Sequence, residues 1–240
     1  MKLIVIGSSS KGNSYALQAE SGEILLLEAG VPLKEVKKAI GYKTEKVVGV
    51  LVSHIHGDHC KYIKDYIKAC LGVYSNIAVA DKHFGVKNVP TDNMTFWCGD
   101  FYVTPFKVEH DVLNYGYLIH HQECGSLFFS TDCYNLKFAI RGCSTYLAEC
   151  NYDDSLLNKA ISEGKTPASQ ADRVRLSHMS LEHCVSWLQD CEAEKSAKQI
   201  VLIHGSSRHL KPELAVNKVQ QVIGVPTWYA KNGLEIELRK

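Results

Sequence analysis

Leu51-Val-Ser-His-Ile-His-Gly-Asp-His59 is the stretch on which the reading of this chain turns. It continues an apolar run, Val47 to Val52, that has the length and β-branched content of a buried strand. Four side chains able to ligate a metal, His54, His56, Asp58 and His59, then fall within six residues. An irregular turn after a strand can aim neighbouring side chains at more than one point, which a regular helix does not do. Imidazole with carboxylate suits zinc and is acceptable to manganese or iron. A purely structural role would leave four polar groups with little to do.

Three more positions repeat the pattern of a polar group beside an apolar strand: His110 in Val108-Glu-His110-Asp, Asp132 after Phe128-Phe-Ser-Thr, and His204 after Val201-Leu-Ile. Active sites of open α/β sheets gather beyond the carboxyl ends of strands, so these groups are expected to converge. Seven donors suffice for two divalent ions, Zn2+ or Mn2+ with iron acceptable. His54, His56 and His110 hold one, Asp58, His59 and His204 the other, and Asp132 bridges. Each ion keeps an open position for water, as a catalytic site requires.

Outward from this segment, Leu3–Ile6, Tyr15–Ala19 and Ile24–Glu28 read as strands, and Pro32 opens a helix closed by Gly41. A helix after the His cluster carries Ile63, Tyr66, Ile67 and Cys70 on one face and Lys61, Lys64 and Lys68 on another. Val73 to Val108 reads as short strands and turns, broken at Asn88-Val-Pro90 and Cys98-Gly-Asp100. A hairpin pairs Tyr117–His120 with Leu127–Phe129, and Tyr146–Ala148 and Ile200–Ile203 are further strands. Helices are expected near Leu156–Ile161 and after Ser180, and Leu234–Leu238 alternates like an edge strand. The expectation is a single α/β domain over residues 1–240, of two similar halves meeting near residue 125.

The chain has 240 residues, 45% hydrophobic and 22% charged, with a net charge of +1. That is an ordinary globular composition with no global nucleic-acid footprint, so an anionic polymer has to be held by local patches. No stretch resembles a secretory h-region or a membrane span, so no membrane partner is expected. Nine cysteines without a Cys-x-x-Cys pair read as reduced thiols, which suggests a cytoplasmic location.

His54-x-His-x-Asp-His59 with the downstream His, Asp and His, in this order, resembles the metallo-β-lactamase-fold superfamily of hydrolases. The resemblance implies a four-layer αββα sandwich with two metals at one edge of the paired sheets. Gly7-Ser-Ser-Ser-Lys-Gly-Asn-Ser14, Gly116-Tyr-Leu-Ile, Ser130-Thr-Asp132, Glu149-Cys-Asn-Tyr-Asp153 and Leu176-Ser-His-Met-Ser180 resemble, in order, the blocks of the YycJ/WalJ exonuclease family. The last His segments, with His204-Gly-Ser-Ser-Arg208, are similar to those of ribonuclease Z, where the earlier one supplies the catalytic histidine. Tyr62 stands where the superfamily usually has glycine and is expected to crowd the entrance. No long arm of the kind ribonuclease Z uses to clamp tRNA is evident.

The resulting expectation is a dinuclear-metal phosphodiesterase acting on nucleic acid, a DNA exonuclease in preference to an RNA enzyme. Asp58 would orient or deprotonate the water while remaining a ligand. His178, beside the Ser180 N-cap, would be the general acid. Ser9, Ser10, Asn13, Asn151 and Arg208 are candidate substrate contacts; for Asn151, as for Asp153, supporting a ligand or shaping a loop is an equal reading, and His209 is a further candidate for phosphate. The competing reading is a small-molecule hydrolase cleaving a thioester, a lactone or a small cyclic phosphodiester with the same metals. A β-lactamase is disfavoured by the absence of an export signal and by aspartate at the bridging position. A metal-stabilised scaffold is disfavoured by the complete ligand set.

Overall fold

The computed structural model describes residues 1–89, 91 and 94–240; Pro90, part of one expected breaker, lies outside them. The chain opens with β1 (Lys2–Gly7), β2 (Ser14–Gln18), β3 (Ile24–Leu27), α1 (Leu33–Ala39) and β4 (Val47–Leu51). The one-turn helix α2 (Gly57–Cys60) and α3 (Ile63–Lys68) follow, then β5 (Val73–Ser75), α4 (Ile77–Lys82) and β6 (Val86–Asn88). Next come β7 (Phe96–Cys98), β8 (Phe101–Val108), β9 (Asn114–His121), β10 (Gly125–Ser130) and β11 (Thr145–Glu149). The remainder is α5 (Asp154–Ser162), α6 (Ala168–Ser177), α7 (Leu181–Asp190), α8 (Ala193–Ser196), β12 (Gln199–Ile203), α9 (Pro212–Ile223), β13 (Thr227–Tyr229) and β14 (Glu235–Glu237).

The strands form two seven-stranded sheets, ordered β14-β1-β2-β3-β4-β5-β6 and β13-β12-β11-β10-β9-β8-β7. Their period-two alternation builds the layers. Leu3 and Val5 of β1 join Leu25, Phe101, Ile119, Phe129, Leu147 and Val201 in a core between the sheets. The alternate residues Ile4, Ala16, Leu26 and Val50 face Val36, Ile63, Tyr66 and Val79 on the helices outside the first sheet. Phe128, Tyr146, Ile200 and Leu202 likewise face Cys184, Leu188, Ala215 and Val219 outside the second. With both faces of each sheet covered, the result is the expected four-layer αββα sandwich.

Most elements fall where the sequence places them, including the C-terminal edge strand, which pairs with β1 through Leu3 and Ile236. Helices α4, α6 and α9, with the one-turn α2 and α8, are additions. Cys70 is exposed, beyond the end of α3 in a left-handed conformation (φ 61°), and not on the buried face expected for it. Residue 125 begins β10 within the second sheet; the chain passes from the first sheet to the second between β6 and β7 and returns to the first with β14. Among the described residues no helix is long and apolar enough to cross a membrane.

β3–β4 and β10–β11–β12 pair in parallel. Within each sheet the carboxyl ends of these strands therefore lie at one edge, and the candidate site lies where the loops after them bring their donors together.

Candidate metal centre and active site

The seven expected donors come together. Each strand end carries its own. β4 leads into His54 and, through an extended His56, into the single turn of α2, where the His59 and Cys60 N–H groups donate to the His56 carbonyl. The β8–β9 loop brings His110, and β10 and β12 end at Asp132 and His204. One group of donors is His54, His56, His110 and Asp132; a second is Asp58, His59, Asp132 and His204. Within each group the donor atoms lie within 4.8 Å of one another. Asp132 belongs to both, with Oδ2 3.5 Å from His54 Nε2, 3.4 Å from His59 Nε2 and 3.8 Å from His110 Nε2. Asp58 Oδ2 lies 3.3 Å from both His59 Nε2 and His204 Nε2.

A divalent ion fits this donor set. His54 is fully buried, yet its Nε2, aimed at Asp132, has no hydrogen-bond partner among the described residues, a costly arrangement unless something else occupies that lone pair. Its Nδ1 is taken by Ser53 Oγ at 2.9 Å, which fixes the ring with Nε2 toward the cluster. Burial, helped by the neighbouring His59, pushes the His54 imidazole down to about 3, so the ring is neutral as a ligand must be. Burial also lowers His110. Burial would raise Asp58 and Asp132, but imidazole partners hold both below the usual carboxylate range: His204 and His59 act on each.

Three buried groups that sequence reasoning did not assign complete the centre. Glu28, fully buried, places Oε1 3.5 Å from His59 Nδ1 and accepts the Ser53 N–H. Asn114 donates to the carbonyls of Thr131 and Asp132 at 2.9 and 2.8 Å. Glu149, also buried, has Oε1 2.7 Å from His178 Nδ1 and 3.0 Å from His204 Nδ1, while Oε2 accepts the Cys133 N–H at 2.8 Å. Glu149 thus contacts both imidazoles and the Cys133 N–H, which suits it to orient His178 and His204; with Asp132, His178 and His204 it also forms a third group of donors within 4.8 Å of one another. Burial lowers the His178 imidazole, but the Glu149 carboxylate outweighs it and the net shift is upward.

Glu28, Asp132 and His204 share a backbone property: each is a non-glycine residue with positive φ, 69°, 51° and 54°. Such conformations are sparsely populated and cost about 1–3 kcal/mol each, so they persist only where the surroundings hold them. For Asp132 the restraint is Asn114. For His204 it is Asn151, whose Nδ2 donates to the His204 carbonyl at 2.7 Å, together with Ser8 Oγ, which accepts the His204 N–H at 2.9 Å.

The remaining expected contacts divide. Ser10, Asn151 and Arg208 line a cavity of about 380 Å3 that His178 and His204 also line. Asn13 is a correction: it is fully buried, and its Nδ2 lies 3.4 Å from Asp58 Oδ2 and 3.1 Å from His59 Nε2, so it supports the ligands from beneath and offers no surface to substrate. Ser9 is a second. It lines a different cavity, between the 7–12 loop and α1, and its carbonyl and Oγ accept from Gly12 and Lys11, closing the loop on itself. Tyr62 lines that same cavity and not the one beside His178 and His204, because its N–H is tied to the Ala29 carbonyl. Asp153 caps α5, and His209 is buried with Nε2 on Thr166 Oγ1, so both shape loops. Cys60 and Cys133 are packing thiols that burial pushes up, Cys60 to about 11.

An αββα sandwich whose edge gathers these His and Asp donors in two overlapping sets defines a metal-dependent hydrolase of the metallo-β-lactamase fold. The chain belongs to the beta-lactamase superfamily domain family, which it matches over residues 32–205. It is 28% identical over 238 residues to the exodeoxyribonuclease YycJ of Bacillus anthracis, covering 91% of this chain and 88% of that protein. In fold it is similar to the metallo-β-lactamase fold protein YhfI of Bacillus subtilis, with a TM-score of 0.76 at 20% identity over 98% of this chain and 99% of that one. It is also similar to the short form of human tRNase Z, with a TM-score of 0.68 at 16% identity over the full length of both chains.

Proposed function

We propose that this hydrolase cleaves phosphodiester bonds in nucleic acid, as a DNA exonuclease using two zinc or manganese ions, with iron acceptable to the same donors. His54, His56, His110 and Asp132 would hold one ion, and Asp58, His59, His204 and Asp132 the other. Such ions supply Lewis acidity toward the phosphate and bring the ionisation of water toward neutral pH. Asp58, a ligand with one oxygen engaged by two imidazoles, orients the nucleophile.

The observation that carries the reading is the His178–Glu149 pair. A sugar alkoxide is a poor leaving group and needs a proton, whereas a thiolate leaves without one. Glu149 accepts the Nδ1–H of His178 at 2.7 Å, which leaves Nε2 as the ring's free nitrogen. The ring lines the open cavity and is held 3.9 Å from Asp132. Protonated, His178 donates from Nε2 to the departing oxygen and is left as the neutral tautomer that Glu149 favours. The similarity to an exodeoxyribonuclease supports DNA as the polymer. Nine free thiols, eight of them buried, support action in a reducing cytoplasm.

The test is a panel with zinc and with manganese: end-labelled single- and double-stranded DNA, RNA, bis-p-nitrophenyl phosphate, a thioester and a lactone. Progressive shortening of labelled DNA is the expected result. Turnover of the thioester or lactone with every phosphodiester left intact would remove the proposal.

A further inference from the structure

Helix α6, which has no clear signature in the sequence, walls two cavities. One, of about 390 Å3, is lined by Pro167, Ser169, Arg173 and Ser177; the other, of about 380 Å3, by Lys11, His204 and Arg208 among others. Each falls within the range of small-ligand sites, about 300–1,000 Å3. The cavities share Gln170, Val174 and His178, a row spaced four residues apart along one side of α6 and its C-terminal cap. They therefore meet at the proposed catalytic histidine, with Arg173 in one and Lys11 and Arg208 in the other.

Their electrostatics are distinctive. The protein has 27 basic and 26 acidic residues, yet neither cavity has an Asp or Glu in its lining. Arg175, on the same helix, is tied to Asp172 at 3.3 Å and to Asn158 at 2.6 Å. Arg173, Arg208 and Lys11, by contrast, form no ion pair among the described residues, and all three are exposed. The cavity behind the 7–12 loop, which Lys11 also lines from its other side, differs, since Glu35 and Glu235 line it. Unpaired cations in an acid-free channel attract a polyanion.

We propose that this double cavity is the path of a nucleic-acid strand, with Arg173 and Lys11 holding backbone phosphates in the two cavities that meet at His178. The inference rests on the phosphodiester reading and deepens it. The strand is gripped beyond the reacting phosphate in both directions, and the grip reads charge and not base identity.

The test is fluorescence anisotropy with a labelled single-stranded oligonucleotide, made nuclease-resistant by phosphorothioate linkages, across a series of KCl concentrations. Arg173→Ala, Lys11→Ala and their double variant are compared with wild type and with Lys218→Ala, which removes an exposed lysine of α9. Each groove variant is expected to lower the slope of log affinity against log salt by about 0.7, the value for one single-strand phosphate contact. Each should weaken binding about three- to fivefold near 0.1 M salt. Lys218→Ala should follow wild type both in binding and in hydrolysis of bis-p-nitrophenyl phosphate. Groove variants that titrate like wild type would overturn the strand path. So would a wild-type protein that hydrolyses the small ester but fails to bind the oligonucleotide, and the phosphodiesterase reading would then survive. Salt-dependent binding lost in the groove variants, without hydrolysis of any phosphodiester, would retain the path and remove the reaction.

Discussion

Substitution Glu149→Gln isolates the group that sets the protonation of His178. The sign follows from the folded-state shift. Glu149 holds the imidazole above its ordinary value, so the acid form persists to higher pH and is lost as pH rises through the raised value. Charge-assisted hydrogen bonds contribute about 1.5–3 kcal/mol. His178 Nδ1 lies 2.7 Å from Glu149 Oε1 with the His178 side chain only 22% exposed, so solvent screening removes little of this. At about 1.36 kcal/mol per pKa unit, a neutral amide should move the alkaline limb of the rate profile down by about one to two units. Well above both limbs the rate falls by about ten- to a hundredfold, while below them it changes little. The amide also turns an N–H toward the Cys133 N–H that Glu149 now accepts at 2.8 Å, an unmade hydrogen bond costing about 1–3 kcal/mol. Lower stability is therefore expected in the same variant and does not bear on the acid's role. The assay is kcat for an oligonucleotide from pH 5 to 10, on protein whose metal content is measured by inductively coupled plasma spectrometry. A variant with full metal and an unmoved alkaline limb would refute control of His178 by Glu149.

Other outcomes follow from the same geometry. His178→Ala should keep its metal and lose about 10²- to 10⁴-fold in kcat on DNA, yet lose little on bis-p-nitrophenyl phosphate, whose leaving group needs no proton; equal losses on both substrates would exclude the acid role. Gly30→Ala should be destabilising by about 1–3 kcal/mol and should lose metal, because a Cβ there would lie 1.7 Å from the Asp58 carbonyl oxygen and 2.8 Å from Asn13 N; a wild-type melting temperature and metal content would show that the ligand turn slides freely. Chelation should lower the melting temperature by about 5–10 °C relative to protein held at a hundredfold excess of metal over Kd, since such linkage supplies about 2.7 kcal/mol and a chain of this size shifts by about 2–4 °C per kcal/mol. Coincident melts with and without chelator would speak against a site with buried, otherwise unpartnered donors.

The candidate metal donors were legible because each is a chemically distinctive residue at an apolar strand's end, and strands announce their ends through hydrophobic pattern. Buried strands such as Val47–Leu51 and Gln199–Ile203 were legible for the same reason. Helix α6 was not: of its ten residues only Ala171 is buried, so it carries almost no amphipathic stripe and is held by its ends and by a small cluster with Tyr152 and Leu157. Helix α9 did leave marks, with Pro212 at its start, Ala215, Val219 and Ile223 on one face and Gly224 left-handed at its cap. Asn13 misled for a different reason. An Asn in a Gly/Ser loop looks like a ligand contact, but the turn folds it inward, where Asp58 and His59 take its amide.

Glu28 and Glu149 show what lies beyond sequence pattern. Each follows or ends an apolar run, as Asp132 does, and nothing local separates the candidate metal donor from the two carboxyls that face imidazoles. The separation is made by neighbours distant in sequence: His59 lies 31 positions from Glu28, and His178 and His204 lie 29 and 55 positions from Glu149. Backbone strain behaves likewise. A left-handed conformation at Glu28, Asp132 or His204 opposes intrinsic preference and exists because Leu51, Asn114 and Asn151 hold these turns through hydrogen bonds across strands. Only strands already in register can supply those restraints. The centre is therefore assembled by the same paired sheets that bury the core, and its donors are preorganised to the extent that the strand ends are rigid.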